Sequence, residues 1–82
     1  MEKLETVVEV DARGLYCPIP VLRLAAALRC CPPGARARLL ATDPAAAADV
    51  DAFCRETGAG LITSGEQEGV LVFDVQKAVL SD

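Results

Sequence analysis

Apolar and polar positions change rhythm repeatedly along the chain, and each change marks an element. Thr6-Val7-Val8-Glu9-Val10 places Thr6, Val8 and Val10 on one side and Val7 and Glu9 on the other, the period of a β-branched strand. Asp11 to Tyr16, with Gly14 inside, breaks that period as a loop. From Pro18 the spacing lengthens. Val21, Leu24, Ala25 and Leu28 recur at i, i+3, i+4 and i+7, which predicts a helix to about Cys30. Cys31-Pro32-Pro33-Gly34 stops it, because neither proline nor glycine sustains a helix. Ala35 to Thr42 alternates again, with Ala37, Leu39 and Ala41 opposite Arg36 and Arg38, as a half-buried strand does.

Asp43-Pro44 reads as a helix start, an acidic cap followed by proline at the first helical position. Ala45 to Ala48 favour helix, and Val50, Phe53 and Cys54 supply its apolar face until Gly58 or Gly60 ends it. Leu61-Ile62-Thr63 and Val70 to Val75 read as two strands joined by the loop Gly65 to Gly69, with Leu71, Phe73 and Val75 facing inward. Lys77 to Asp82 carries no periodic signal. The order β-α-β-α-β-β predicts an α/β (α+β) two-layer sandwich, a four-stranded mixed sheet with two helices on one face. One domain accounts for residues 1–82, with its core over about 5–76. Glu5, Glu9, Arg36, Arg38 and Asp74 fall together on the other sheet face, which is expected to be solvated.

Composition narrows the function more than the fold. Hydrophobic residues make up 52% but aromatics only 4%, so aliphatic side chains must fill the core. Twelve acidic residues against 8 basic ones give a net charge of −4, which argues against direct nucleic-acid binding through a basic stripe. Histidine is absent, which excludes Ser-His-Asp and Cys-His catalysis within the chain. No signal-like stretch and no membrane-length apolar run occur, so a cytoplasmic setting is expected, with the cysteines Cys17, Cys30, Cys31 and Cys54 reduced.

Cys17-Pro18-Ile19-Pro20 is the informative segment. If Pro18 is the first helical residue and Pro20 the third, their missing N–H groups cost nothing, and the amides of Ile19 and Val21 remain as first-turn donors. The helix dipole adds about half a positive charge at that end, a setting that lowers a thiol pKa. Arg13 is expected to add positive potential, and Gly14 lets the loop turn with φ > 0, leaving the Cys17 sulfur exposed. The bland reading, a small core cysteine with prolines as punctuation, fits a residue after a polar loop poorly. Cys54 beside Phe53 reads as core packing. Cys30 and Cys31, at the far end of the helix, are roughly 20 Å from Cys17 at 1.5 Å per residue, too far to resolve a disulfide there. No metal is expected, since zinc requires C-x₂-C pairs or histidines. A phosphate cradle is also excluded, because neither G-x-G-x-x-G nor G-K-[ST] occurs.

The run Asp11-Ala12-Arg13-Gly14-Leu15-Tyr16-Cys17-Pro18-Ile19-Pro20 resembles the D-x-x-G-x-x-C-P-x-P segment of the TusA/SirA/YedF family of small sulfur carriers. Pro33-Gly34, Asp43-Pro44, Asp49 and Phe53-Cys54 extend the likeness, which covers Val10 to about Val75. The resemblance implies a two-layer sandwich related to the C-terminal domain of bacterial translation initiation factor three. It also implies that Cys17 accepts sulfane sulfur as a persulfide, with Pro18 and Pro20 shaping its loop. Two departures concern partner choice: Ile19 stands where some members have glutamate, and the first helix carries few cations, Arg23 and Arg29.

The expected activity is a sulfurtransferase half-reaction. Cys17 takes sulfur from a donor protein, a cysteine desulfurase or rhodanese-like protein, and yields it to an acceptor protein, with no cofactor and no base if the thiol is already ionised. The family implies end points in tRNA 2-thiouridine, molybdenum-cofactor assembly or sulfur metabolism. A non-enzymatic regulatory or RNA- or protein-binding module, with Cys17 incidental, is the alternative. A thiol-redox protein is disfavoured by the lack of C-x-x-C.

Overall fold

The structure, a computed structural model, describes residues 7–79. Thr6 of the expected first strand, Glu5 of the expected solvated face and the last three residues of the expected tail lie outside the described residues. The elements are β1 (Val7–Ala12), α1 (Ile19–Arg29), β2 (Arg36–Ala41), α2 (Ala46–Thr57), β3 (Gly60–Gln67) and β4 (Val70–Gln76). They form one mixed sheet in the order β1-β2-β4-β3. The helical crossover through α1 brings β2 back parallel to β1, whereas a tight turn forces β3 and β4 antiparallel, and β4 closes the sheet against β2.

The alternation in the strands and the longer period in the helices meet in a single core. Val10 and Ala12 of β1, Ala37, Leu39 and Ala41 of β2, and Phe73 and Val75 of β4 are buried under Leu24 and Leu28 of α1 and Ala46 and Val50 of α2. Three of the buried strand positions beneath the helices are alanines, Ala12, Ala37 and Ala41. On the opposite face Arg38 pairs with Asp74 at 2.8 Å, and Thr63 donates to the same carboxylate at 2.9 Å. In register, Glu9, Arg38 and Asp74 form one cross-strand row there, as the alternation requires.

The differences from the sequence reading have physical causes. The segment Gly65 to Gly69 is not a loop throughout: β3 continues to Gln67, and the turn is only Glu68-Gly69, both at positive φ (52° and 85°). All eight residues of β3 are exposed, so this edge strand carries no apolar alternation to betray it; its pairing with β4, with a shift in register between Leu61 and Thr63, makes it a strand. α2 begins at Ala46, because Pro44 and Ala45 form a preceding turn in which Ala46 N–H donates to the Asp43 carbonyl. Of the two expected ends it takes the first, with Gly58 in the left-handed region (φ 83°) donating to the Cys54 carbonyl.

Candidate functional site

Because β1 and β2 are parallel, their C-terminal ends lie side by side, with Ala12 opposite Ala41. The loops leaving them therefore run together, and hydrogen bonds tie them. Gly14 N–H donates to Thr42 Oγ1 at 2.9 Å, and Cys17 N–H donates to Asp43 Oδ2 at 2.7 Å. Gly14 takes φ +82° with open space around it, as the expected tight turn demands. The loop delivers Cys17 to the surface, exposed, between the exposed Tyr16 and Ile19.

The helix begins one residue later than the motif suggests. Ile19 is the first residue of α1 and Pro18 precedes it as the cap, joined to Cys17 by a cis peptide bond, while Pro20 sits buried in the first turn. The Ile19 amide is not a free donor, since it bonds the Tyr16 carbonyl at 2.8 Å, and Leu22 N–H bonds the Pro18 carbonyl at 3.1 Å. Of the amides proposed for the sulfur, only that of Val21 has no backbone acceptor among the described residues.

The electrostatics correct the sequence reading. The thiol pKa of Cys17 is raised, not lowered. The cause is first the Asp49 carboxylate, which favours the protonated thiol, then desolvation, then the charges of Asp49 and Asp43. Arg13 does not offset them. It forks onto Asp11 through Nε and Nη2, both at 2.8 Å, and that hydrogen bonding holds the Asp11 carboxyl at about 2. The helix dipole contributes only a partial charge, and the carboxylates of Asp49 and Asp43 outweigh it. At neutral pH Cys17 is a neutral, accessible thiol.

The two aspartates differ in employment. Both Asp43 oxygens accept backbone N–H groups, Oδ2 from Cys17 at 2.7 Å and Oδ1 from Ala45 at 3.0 Å, and this holds its carboxyl below the usual range. Asp49 Oδ2 is buried with no hydrogen-bond partner. Neither was read as part of the site from sequence, where Asp43 served as a helix cap. The signal was available in the topology: two parallel strands joined by a crossover must place their following loops together.

The remaining cysteines keep apart from this arrangement. Cys31 donates its thiol to the Ala27 carbonyl at 3.3 Å, Cys30 is exposed at the end of α1, and Cys54 is partly packed against the core, where burial pushes its thiol up. Among the described residues no group of three or more His, Cys, Asp or Glu side chains is placed to hold a metal, and no helix is long and apolar enough to cross a membrane.

Comparison with known proteins bears on this geometry. The chain matches the family described as Sulfurtransferase TusA over residues 8–77. It is 40% identical over 70 residues to the sulfur carrier protein TusA of Allochromatium vinosum, covering 85% of this chain and 92% of that protein. To the sulfur carrier protein TusA of Pseudomonas syringae pv. syringae it is 35% identical over 77 residues, covering 94% and 92%. The crystal structure of a SirA-like protein from Desulfitobacterium hafniense shares the fold, with a TM-score of 0.76 over 89% of this chain and 99% of that one at 21% identity.

Proposed function

The chain belongs to the TusA family, and on that premise we propose that it is a sulfur carrier whose Cys17 accepts sulfane sulfur from a donor protein and passes it to an acceptor protein. The observation that carries this reading is the exposed thiol at the mouth of α1, in the segment matching the family motif, with no wall around it. A shuttle has to present its sulfur to two different proteins in turn, and an exposed atom on a tied loop does so.

The chemistry balances without a cofactor. Cys17 loses its proton, its sulfur attacks the terminal sulfur of the donor's persulfide, and the donor S–S bond breaks as the new one forms. The donor sulfur leaves as a thiolate and takes up the proton. Discharge repeats the exchange: an acceptor thiolate attacks the terminal sulfur on Cys17, whose own sulfur becomes the leaving group. Since Cys17 rests as a neutral thiol, ionisation belongs to the encounter and not to the resting carrier. Gly14, Pro18, Ile19, Pro20 and Val21 act by fixing the loop and helix start. Arg13 secures the loop through Asp11, to which its guanidinium is committed.

Mass spectrometry tests the assignment. After incubation with a cysteine desulfurase and cysteine, one additional sulfur atom is expected on the peptide holding Cys17 and none in Cys17→Ser. Sulfur found only on Cys30, Cys31 or Cys54 overturns the assignment, and no sulfur with any donor leaves the module reading in its place.

A further inference from the structure

Water can serve the backbone N–H groups of an exposed loop, so a protein acceptor for one of them sets its place more than it spares its solvation. Between Arg13 and Pro18 some of these bonds stay local. Arg13 N–H goes to Asp11 Oδ1 at 3.2 Å, and Leu15 N–H goes to the Ala12 carbonyl at 3.2 Å. Two others reach outside the segment. The amides of Gly14 and Cys17 are taken by the side chains of two consecutive residues, Thr42 through Oγ1 and Asp43 through Oδ2.

This grip has a firm base. Thr42 directly follows β2, whose Ala41 is in register with Ala12 of β1, and the second Asp43 oxygen takes the Ala45 N–H just ahead of α2. The Cys17 backbone is thereby referred to the sheet and to α2 as well as to its own helix. The sulfur itself is exposed, so its position is set through that backbone. A displacement of about 1 Å at a reacting atom costs up to about a hundredfold in rate.

Building on the sulfur-carrier reading, we propose that Thr42 and Asp43 are positioning residues for sulfur transfer, their side chains clamping the Gly14 and Cys17 amides so that the sulfur is held where a donor's terminal sulfur can be reached. The clamp is separate from docking: it acts on the rate of transfer within an encounter and leaves the strength of the encounter alone. Asp43 then has two opposed effects. Its charge disfavours the Cys17 thiolate, while its hydrogen bond places the sulfur.

Single-turnover transfer from a persulfide-loaded cysteine desulfurase, followed by mass of the intact chain at rising carrier concentration, separates a maximal rate from a half-saturating concentration. Thr42→Val and Asp43→Ala should each lower the maximal rate by about tenfold, with half-saturation within about twofold of native. Thr42→Ser keeps the hydroxyl and should restore the rate. Thr57→Val serves as control, since it removes a hydroxyl that takes the Ala59 N–H at the far end of α2, and it should leave the maximal rate alone. Loss of the Asp43 charge by itself favours the thiolate, so faster transfer in Asp43→Ala overturns the proposal. A native maximal rate in Thr42→Val, or a change confined to half-saturation, overturns it equally. Amide hydrogen exchange reads the clamp without sulfur: Gly14 in Thr42→Val and Cys17 in Asp43→Ala should exchange about tenfold faster than in the native chain, and unchanged exchange sinks the idea. Should Asp43→Ala fail to fold, Thr42→Val, at an exposed position, decides by both readouts. A native chain that loads no sulfur strikes the carrier reading and leaves exchange to decide the clamp, whereas failure of the clamp leaves the carrier reading standing.

Discussion

The two ends of α1 begin from nearly the same letters. Cys17-Pro18 enters the helix and Cys31-Pro32 follows it, each with a positive-φ glycine close by, Gly14 and Gly34. Their surroundings are opposite. At the first end the thiol is exposed and faces carboxylates that arrive from the loop after β2 and from α2. At the second, Cys31 turns its thiol back onto the Ala27 carbonyl, and Lys77 Nζ donates to the Cys31 carbonyl at 2.6 Å. One cysteine is presented and the other is incorporated. Residue type and local motif do not separate these roles; what the rest of the fold brings to each end does.

The largest expected effect sharpens that contrast. Cys17→Ser should reduce sulfur loading to background while Cys31→Ser leaves it near the native level, both read by mass of the intact chain. Equal loss in the two variants would erase the distinction. Next, Leu24 is fully buried midway along α1 and supports both ends, so Leu24→Ala should cost about 3 kcal/mol in denaturant unfolding. Its damage should not discriminate between them.

Fold and site were unequally legible in the sequence. The element order followed from the switch between a period of two and one of three to four residues, because each element buries one face against the same core. Where nothing is buried the signal vanished: β3 lies exposed at the sheet edge, and Gly65 to Gln67 read as loop. The exposure of Cys17 was readable from its polar, glycine-containing loop. Its charge state was not, since local reasoning saw the helix end and Arg13, whereas Asp49 lies on another helix and Arg13 is held by Asp11.

A pH titration of thiol alkylation sharpens the electrostatic half of the comparison. Iodoacetamide reacts with thiolate, and a raised pKa means less thiolate at every pH below it. Cys17 should therefore alkylate more slowly at neutral pH in the folded chain than in urea, with its midpoint above the ordinary value of 9.0. By linkage, the stability tied to this shift is present below that value and lost as pH climbs through the folded midpoint, a loss that Cys17→Ser should remove. A midpoint below that of the unfolded chain would restore the picture of a dipole-stabilised thiolate.

The smallest effects concern the paired glycines. A Cβ on Gly14 meets nothing within 4 Å, and one on Gly34 meets Val79 Cγ2 at an ordinary 3.7 Å. Only the left-handed backbone opposes the change, so Gly14→Ala and Gly34→Ala should each lower stability by about 1–2 kcal/mol in thermal melts. A clearly larger penalty at one of them would show that the two turns are not equivalent supports.

Tyr16, immediately before the thiol and 76% exposed, is the sole tyrosine of a chain without tryptophan. Excited beyond the absorption of Phe53 and Phe73, the chain's ultraviolet emission therefore originates beside the reacting atom. Mixing with a partner free of tryptophan and tyrosine would report arrival and departure at that loop in real time, and the molecule needs no attached dye to be watched at work.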